Sequence, residues 1–320
     1  MDPKIYLAPM SGITDLPFRL ISREFGATQC FFEMVHANSI IYEHPKNKRL
    51  LKTLKKDRPI AAQLLGADPC LMLEAAQKLA ALADISFLDI NSACPAKKVI
   101  KKGEGAALLE NRAKLGRIVK KLSSGLGLPV TVKLRTGFIK RDIRGCVRTA
   151  LICQDNGASV VFIHGRTRLE GYSGDIDYES IRAVKKALKI PVFGSGNILN
   201  PVMAKKMLVE TGCDGILVAR GALGNPWIFR DIRSYLKSGR IPKDKSLPVK
   251  IKALKKHLDY INRYSDMKVS HKAGLIGKVA TWYLKNFPHA SKIRDKVFRL
   301  KSYDELIDLI DTVPNLHRAY

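Results

Sequence analysis

The sequence lacks the usual features of a membrane, secreted or metal-binding protein. It has no apolar run of about 18 residues, so no membrane-spanning helix is predicted. Its opening residues, MDPKIYLAPM, lack the basic region followed by an apolar region that a signal peptide has. The six cysteines form no CxxC pair and no metal-ligand spacing. These absences predict a protein of the reducing cytoplasm with no membrane-spanning segment and no metal site.

Acidic residues are also scarce. The chain has 29 Asp and Glu against 56 Lys and Arg, a net charge of +27. A surplus of this size exceeds what solubility needs and predicts a polyanionic partner, either nucleic acid or an anionic membrane surface. The alternative is a source organism whose proteins are lysine-rich in general.

The chain has no GxGxxG after its first predicted strand, which disfavours an open dinucleotide-binding sheet, although a doubly wound sheet remains the alternative. Eight short, nearly continuous apolar runs are typical of parallel strands buried on both faces. Helical patterns follow several of them, most clearly where Asp68 and Asn200 each precede a proline, as a helix cap would. The alternation predicts a (β/α)8 TIM barrel. The runs begin at Ile5, Cys30, Pro59, Ile85, Pro129, Ser159, Pro191 and Gly215.

A change of composition marks the end of the predicted barrel. The stretch KSGRIPKDKSLP, Lys237 to Pro248, is rich in proline and lysine and reads as a linker. Apolar residues beyond it fall at helical spacing. The sequence therefore predicts a barrel domain at 1–240 and a small, all-helical domain at 241–320.

Polar side chains close nearly every predicted strand. Barrel enzymes collect their chemistry at the C-terminal ends of the strands, so these side chains predict one concave polar site. They are Met10 and Ser11, Glu33, Gln63, Asn91, Lys133, His164, Ser195 with Asn197, and Arg220.

The last two strands end in small residues. FGSGN begins at Phe193 and VARGALG at Val218. Glycines there let backbone N–H groups approach an anion, as in the phosphate-binding corner of many barrels. The alternative is that these glycines only form turns.

Two reactive side chains lie among the strand ends. Lys133 interrupts an apolar strand, where it would form a Schiff base or stabilise an anionic cofactor ring. His164 ends the next strand, as a site residue or as a hydrogen-bonded structural histidine.

Cys94 is the cysteine with polar surroundings. It follows Asn91 by three residues and precedes Pro95, which places it on a turn at the predicted mouth. Four nearby lysines would favour its thiolate, whereas a buried and inert thiol is the alternative. The lysines are Lys97, Lys98, Lys101 and Lys102. The other cysteines lie in apolar sequence and are expected to be reduced core thiols, namely Cys30, Cys70, Cys146, Cys153 and Cys213.

Taken together, these motifs resemble the tRNA-dihydrouridine synthase family, most closely its bacterial B type. The resemblance runs in the family's order from Leu7 to Phe229, and the helical tail matches more loosely. It rests on LAPMSGITDLPFR, AAQLLG, DINSACPAKKV, VTVKLRTGF, FIHGRTRLEGYSG, GSGNI and GILVARGALGNPWIF.

The resemblance implies a monomeric barrel that binds FMN and reduces the C5–C6 bond of selected uridines in tRNA, with NADPH as reductant and no protein partner. Cys94 would donate the proton to C5 after hydride reaches C6. Lys133 would stabilise the reduced ring, Gln63 would bond its polar edge, and His164 would position it. Pro9, Met10 and Ser11 would contact the ring, and Ser195, Gly196, Asn197, Ala219 and Arg220 would hold the phosphate. The substrate would contact Asn91, Arg166, Lys97 and Lys98.

Two departures from the family pattern concern the site. Ala93 replaces the usual glycine before the cysteine and would strain the turn if that position needs a positive φ. GSGN replaces the commoner phosphate loop, which would change the side-chain contacts with a phosphate. In the tail, Trp282 and Tyr283 would either face tRNA or belong to a core.

Three other functions fit parts of the pattern. A flavin barrel of the dihydroorotate-oxidoreductase type would act on a small molecule and would not need the basic tail. An RNA-binding module without catalysis would carry no flavin. A Schiff-base aldolase would use Lys133 and no flavin either.

Overall fold

The computed structural model describes residues 3–267, 269–285, 296–297 and 303–316. Its strands are all parallel and lie in the order β1-β9-β8-β7-β6-β5-β4-β2, with β3 also paired to β4. A bridge between Tyr6 and Gln29 joins the two edges and closes the barrel. The predicted TIM barrel is therefore confirmed, and the open sheet is wrong. The strands are β1 (Lys4–Leu7), β2 (Cys30–Phe31), β3 (Val35–His36), β4 (Ile60–Leu65), β5 (Leu88–Asn91), β6 (Val130–Arg135), β7 (Val160–His164), β8 (Val192–Ser195) and β9 (Gly215–Val218).

The second predicted strand is divided in two. The run from Cys30 was expected to be one strand, but Phe32, Glu33 and Met34 separate β2 from β3. The interruption coincides with a tertiary contact, in which the Glu33 carboxylate accepts a hydrogen bond from the Gly12 backbone N–H. Met34 then lies on the wall of the central cavity. The break thus brings two side chains to the barrel mouth.

The helices begin where the sequence predicted. Asp68 accepts hydrogen bonds from the N–H groups of Cys70 and Leu71, and Asn200 accepts one from Met203. The helices are α1 (Leu16–Glu24), α2 (Ala37–Ile41), α3 (Lys46–Leu50), α4 (Pro69–Leu82), α5 (Lys97–Ile100), α6 (Arg112–Gly125), α7 (Ile143–Asp155), α8 (Tyr178–Ala187), α9 (Pro201–Thr211), α10 (Ile228–Ser238), α11 (Leu247–Tyr264), α12 (Val269–Tyr283) and α13 (Tyr303–Leu316); short 3-10 turns cover Lys55–Asp57, Gly105–Leu109 and Arg220–Ala222.

The barrel interior has an apolar layer beneath a polar one. Phe162 packs edge-on against Phe31 and Phe193, with ring centroids 5.8 and 5.2 Å apart. Ala61 and Leu217 complete this layer. Because strand side chains alternate between faces, the next inward positions lie one layer nearer the mouth. Those positions carry Gln63, Asn91, Lys133, His164 and Ser195.

The tail packs its helices around a second apolar core. Leu254, Leu258 and Ala280 are fully buried in it, and Trp227 from the end of the barrel joins them. Tyr283 is buried in this core as well, which excludes it from a tRNA-contacting face. Trp282 packs edge-on against Phe18 of α1. The described part of the tail is helical, as predicted, whereas the rest of the tail lies outside the described residues and the domain boundary at residue 240 stays a prediction.

Four of the five cysteines predicted to be core thiols are buried, but Cys70 is exposed. It lies in the first turn of α4, on the side that faces solvent. Within the described part of the chain, no helix has the length and hydropathy needed to cross a membrane.

Candidate active site

A cavity of about 660 Å³ opens at the C-terminal ends of the strands. Among the described residues that line it, none is Asp or Glu, whereas Lys98, Lys133, Arg135 and Arg220 are cationic. The wall therefore favours an anionic ligand. The predicted site residues that line it are Pro9, Met10, Ser11, Gln63, Asn91, Cys94, Lys98, Lys133, His164, Ser195, Gly196, Asn197, Ala219 and Arg220.

Three predicted residues do not line the cavity. Glu33 is buried, and its carboxylate accepts from the Gly12 backbone N–H. Lys97 is exposed at the start of α5, outside the mouth. Arg166 is buried behind the wall, where its Nη2 donates to Asn197 Oδ1 at 3.0 Å and its Nε to the Gly174 carbonyl at 3.0 Å. It supports the loop after β8 rather than facing the cavity directly.

Strand register brings the polar ends together. Asn91 lies opposite Lys133 in the β5–β6 pairing, and His164 lies opposite Arg135 and Ser195 in the pairings on its two sides. Residues that are about 30 to 40 positions apart in sequence thus become neighbours. This convergence follows from the parallel barrel, since all its strands end at the same face.

A chain of hydrogen bonds runs from the barrel interior to Cys94. Asp89 Oδ2 accepts from Gln63 Nε2 at 2.7 Å, and Gln63 Oε1 accepts from Asn91 Nδ2 at 2.8 Å. Asn91 Oδ1 in turn accepts from the backbone N–H groups of Cys94, at 2.8 Å, and Ala93, at 3.0 Å. An ionised carboxylate only accepts hydrogen bonds, so Asp89 fixes the orientation of both amides. We call this chain, Asp89–Gln63–Asn91–Cys94, the amide relay.

Asn91 uses its hydrogen-bonding groups within the protein. Its second Nδ2 contact is the Met34 sulfur at 3.0 Å, and its oxygen already receives two backbone N–H groups. Its geometry suits the placement of Cys94, and its contact with substrate stays a prediction.

The loop that carries Cys94 is held by backbone contacts with Gly105 and Ala106. The Cys94 carbonyl accepts from the Ala106 N–H at 3.1 Å. Gly105 has a φ of +59°, and a Cβ there would lie 2.9 Å from that carbonyl oxygen, so the turn requires glycine. Ala93, by contrast, has no positive φ and fits without strain. The expected strain at Ala93 is therefore absent.

Lys133 and Asp89 form a buried electrostatic pair. Burial lowers the pKa of Lys133, and Arg135 lowers it further, while Asp89 opposes both effects. Burial raises the pKa of Asp89, and its hydrogen bonds from Gln63 and Thr131 act in the other direction. A lone buried charge would be unfavourable, so each of the two groups stabilises the charge of the other.

The loops after β8 and β9 form a cationic corner. Gly196 has a φ of +124° and Asn197 a φ of +48°, both in the left-handed region. Asn197 Oδ1 accepts from Arg166 and from Arg220 Nη2, the latter at 3.4 Å. Asn197 belongs to the GSGN loop that replaces the family's commoner loop. Its side chain thus holds the guanidinium groups of Arg166 and Arg220 in one corner.

His164 is neutral in this corner. Burial, followed by the charges of four cations, lowers its pKa to about 2. Its Nε2 lies 3.4 Å from Arg166 Nη1, and a guanidinium can only donate. The imidazole proton is therefore on Nδ1. The four cations are Lys133, Arg135, Arg166 and Arg220.

Four residues at the site were not assigned from the sequence. Asp89 and Arg135 follow from strand alternation, because they share the inward face with Asn91 and Lys133. Arg135 Nε donates to the Ala93 carbonyl at 2.6 Å. Tyr172 and Met34 lie outside the strands, where no periodic signal marks them.

A closed parallel barrel, whose cavity wall carries cations and no carboxylate among the described residues, defines an enzyme class that binds anionic cofactors or substrates at its strand ends. The family described as "Dihydrouridine synthase (Dus)" matches residues 6–317. The tRNA-dihydrouridine synthase B of Pseudomonas aeruginosa is 37% identical over 301 residues, which cover 94% of this chain and 90% of that protein. A probable tRNA-dihydrouridine synthase 1 of Synechocystis is 36% identical over 310 residues, covering 96% and 85%. The chain belongs to the dihydrouridine synthase family.

Solved structures share the barrel. A histamine dehydrogenase from Rhizobium sp. 4-9 superposes with a TM-score of 0.55 at 14% identity, covering 74% of this chain and 46% of that one. A 2-naphthoyl-CoA reductase superposes with a TM-score of 0.56 at 11% identity, covering 74% and 50%. This chain spans about half the length of those structures, and the likeness concerns the fold alone.

Proposed function

We propose that this protein is a tRNA-dihydrouridine synthase that uses FMN and NADPH to reduce the C5–C6 bond of uridines in tRNA. Family membership across nearly the whole chain supports the assignment. The observation that carries it is Cys94 on the wall of a cationic cavity, held there by Asn91. No described contact favours the small-molecule reductase, the RNA-binding module or the aldolase over it.

The residues present fit FMN. The cavity has the volume of a cofactor site, and its wall combines apolar side chains with a few polar groups. It carries cations and no carboxylate among the described residues, as a dianionic phosphate requires. Gly221 lets the loops after β8 and β9 pack closely at the corner, because a Cβ there would lie 2.0 Å from the Ile198 carbonyl oxygen. Larger residues would therefore reshape the corner.

When bound, FMN supplies the hydride that reduces the uracil, and NADPH replenishes it. Pro9, Met10 and Ser11 would line the ring, with Gln63 at its polar edge and Lys133 offsetting negative charge. His164, held neutral and with its proton on Nδ1, would donate to an acceptor rather than add charge. The phosphate would lie in the corner formed by Ser195, Gly196, Asn197, Ala219 and Arg220.

Cys94 would supply the proton. Hydride arrival at C6 develops negative charge at C5, so a thiol positioned at C5 lowers the barrier, by about 10²- to 10⁴-fold for a general acid. The thiol gives its proton to C5 and becomes a thiolate. Lys98, which also lines the cavity, would stabilise that thiolate. Asn91 would keep the thiol in place through the backbone of residue 94.

The target base must leave its stack to reach this cavity. Flipping a base out of an RNA structure costs a few kcal/mol, which binding of the backbone offsets. Lys97 is exposed beside the mouth, where it would meet a phosphate of the tRNA. Arg166 would act through Asn197, which it holds.

Replacing Cys94 tests this function. In Cys94→Ala, we expect FMN content and tRNA affinity to be retained while dihydrouridine formation falls by about 10²-fold or more. Dihydrouridine is measured by mass spectrometry of tRNA after single-turnover reaction. Cys70→Ala is the matched control, because Cys70 is an exposed cysteine remote from the cavity wall. Wild-type turnover in Cys94→Ala would contradict the role of Cys94 as the acid. A colourless wild-type protein would contradict the binding of a flavin.

A further inference from the structure

Two loops at the barrel mouth form one continuous rim. The loop after β6 (136–142) and the loop after β7 (165–177) are joined through backbone bonds from Arg168 to Gly137, at 2.9 Å, and from Leu169 to Phe138, at 3.0 Å. Arg135 adds a bond from its Nη1 to the Thr167 carbonyl at 2.8 Å. The rim is thus tied to the barrel at several points and is held in one arrangement.

This rim presents large apolar side chains to solvent. Ile139 is 66% exposed, Leu169 64% and Tyr172 61%. Tyr172 also lines the main cavity, with the guanidinium carbons of Arg135 and Arg220 each 5.7 Å from its ring centroid. Clustered apolar exposure beside a site marks a contact surface more often than a chance placement.

The same rim carries available positive charge. Its two loops hold four basic and four acidic residues. Three of the carboxylates are engaged, since Asp142 and Asp177 cap helices and Glu170 pairs with Arg141. Among the described residues, neither Lys140 nor Arg168 has an ion-pair partner, although the Arg168 guanidinium lies over the Phe138 ring. The fourth carboxylate, Asp175, is exposed. We call Ile139, Lys140, Arg168, Leu169 and Tyr172 the mouth rim.

A second cavity of about 210 Å³ lies against the mouth rim. Ile139, Lys140 and Arg112 line it, and it shares Arg135 with the main cavity. The rim therefore separates the reaction cavity from a smaller recess whose wall is mixed, since Glu110 and Asp142 line it beside the apolar and cationic side chains.

We propose that the mouth rim binds the single-stranded RNA that flanks the reacting uridine. The proposal rests on the proposed function, because extrusion of one base leaves its neighbours unstacked. Unstacked bases bind to exposed aromatic and apolar side chains, and their phosphates to nearby cations. Ile139, Leu169 and Tyr172 offer the first kind of surface, and Lys140 and Arg168 the second. A second protein copy would not need cations at these positions.

An exposure-matched pair of double variants tests the rim. In Ile139→Ser with Leu169→Ser, we expect the Kd for an unmodified tRNA transcript to rise about ten-fold, as loss of base contacts predicts. KM should rise with it, while kcat at saturating tRNA, FMN content and thermal stability should stay at wild-type values. The control is Leu82→Ser with Val209→Ser, whose side chains are 66% and 72% exposed at the far ends of α4 and α9.

Each outcome decides the proposal. The proposal is overturned if the rim and control double variants bind tRNA with equal affinity. It is also overturned if sedimentation shows that the rim double variant differs from the wild type only in oligomeric state. If the wild-type protein forms dihydrouridine but the rim double variant binds tRNA with wild-type affinity, the rim proposal is wrong and the proposed function stands. If the wild-type protein forms no dihydrouridine, the proposed function itself is wrong. Lys140→Gln should also make the salt dependence of binding shallower by about one unit of slope.

Discussion

Asp89 is a carboxylate with no exposed surface inside the barrel. Its two oxygens have different partners, Gln63 on one and Thr131 on the other, each at 2.7 Å. Only the Gln63 side leads through the amide relay to Cys94. A residue that touches neither the cavity wall nor the thiol would therefore set the position of the proposed acid.

We predict that Asp89→Asn lowers dihydrouridine formation about ten-fold. A neutral amide no longer dictates which end of Gln63 faces it, and roughly 1.5 kcal/mol of charge-assisted hydrogen bonding is lost. The measured quantities are kcat and the alkylation rate of Cys94 by iodoacetamide, followed by mass spectrometry with exposed Cys70 as internal reference.

Thr131→Val is the matched control for Asp89→Asn. It removes the hydrogen bond to the other oxygen of the same carboxylate and leaves the amide relay in place. If both variants alter Cys94 alkylation equally, Asp89 has only a structural role. If Asp89→Asn alone changes it, the relay positions the thiol.

At the scale of elements, α11 carries a buried histidine to the junction with the barrel. The ring of His257 lies 5.7 Å from Phe18 of α1 and 5.9 Å from Tyr283 of α12. Its Nδ1 is 3.2 Å from the Tyr283 hydroxyl. Burial lowers its pKa to about 3. The folded protein therefore holds this imidazole neutral, whereas the unfolded chain protonates it below its ordinary pKa of about 6.5.

This difference predicts a loss of stability in acid. Between roughly pH 6.5 and 3 the unfolded state binds one more proton at this site, so stability falls as the pH falls. From pH 7 to pH 5, His257 should remove about 2 kcal/mol of unfolding free energy. Urea unfolding at both pH values measures it.

Two substitutions isolate the contribution of His257. His257→Asn keeps a polar group near Tyr283 but cannot titrate, so its stability should change less between the two pH values than that of the wild type. His44→Gln, at an exposed position, is the control for replacing a histidine elsewhere in the chain. An unchanged pH dependence in His257→Asn would contradict the assignment. His164 contributes equally to all of these proteins and cancels.

At the scale of the molecule, the charge of +27 would govern the proposed association with tRNA. Bound cations release counterions from phosphates, so we predict that tRNA affinity falls at least ten-fold between about 50 and 200 mM salt. Lys98→Gln should reduce the slope by about one unit, because Lys98 lies at the mouth. Lys186→Gln, exposed near the end of α8, should leave the slope unchanged. If the tRNA affinity of the wild type does not change with salt, the excess positive charge does not serve tRNA binding.

The sequence predicted elements better than contacts. Asp68 and Asn200 marked helix starts because capping is a local interaction that the neighbouring residues determine. The division of the second strand was missed, since it depends on a contact between Glu33 and Gly12. Asp89 was overlooked although alternation places it on the inward face, and Tyr172 had no periodic signal.

Burial is the property that sequence patterns described least well. Tyr283 and Trp282 were compatible with either an RNA surface or a core, and packing of α12 against α11 and α1 placed Tyr283 in the core. Cys70 shows the reverse error, because an apolar neighbourhood in sequence does not decide which side of a helix faces solvent.

The sequence by itself determined the barrel, the helical tail, the excess charge and the family, because periodicity, capping and motif order are properties of neighbouring residues. Tertiary structure alone decided that the described residues of the cavity wall include no carboxylate, that Asp89 reaches Cys94 through two amides, and that the mouth rim exposes three apolar side chains. The physical reason is that each of these depends on groups that are distant along the chain and meet only when parallel strands close into a barrel.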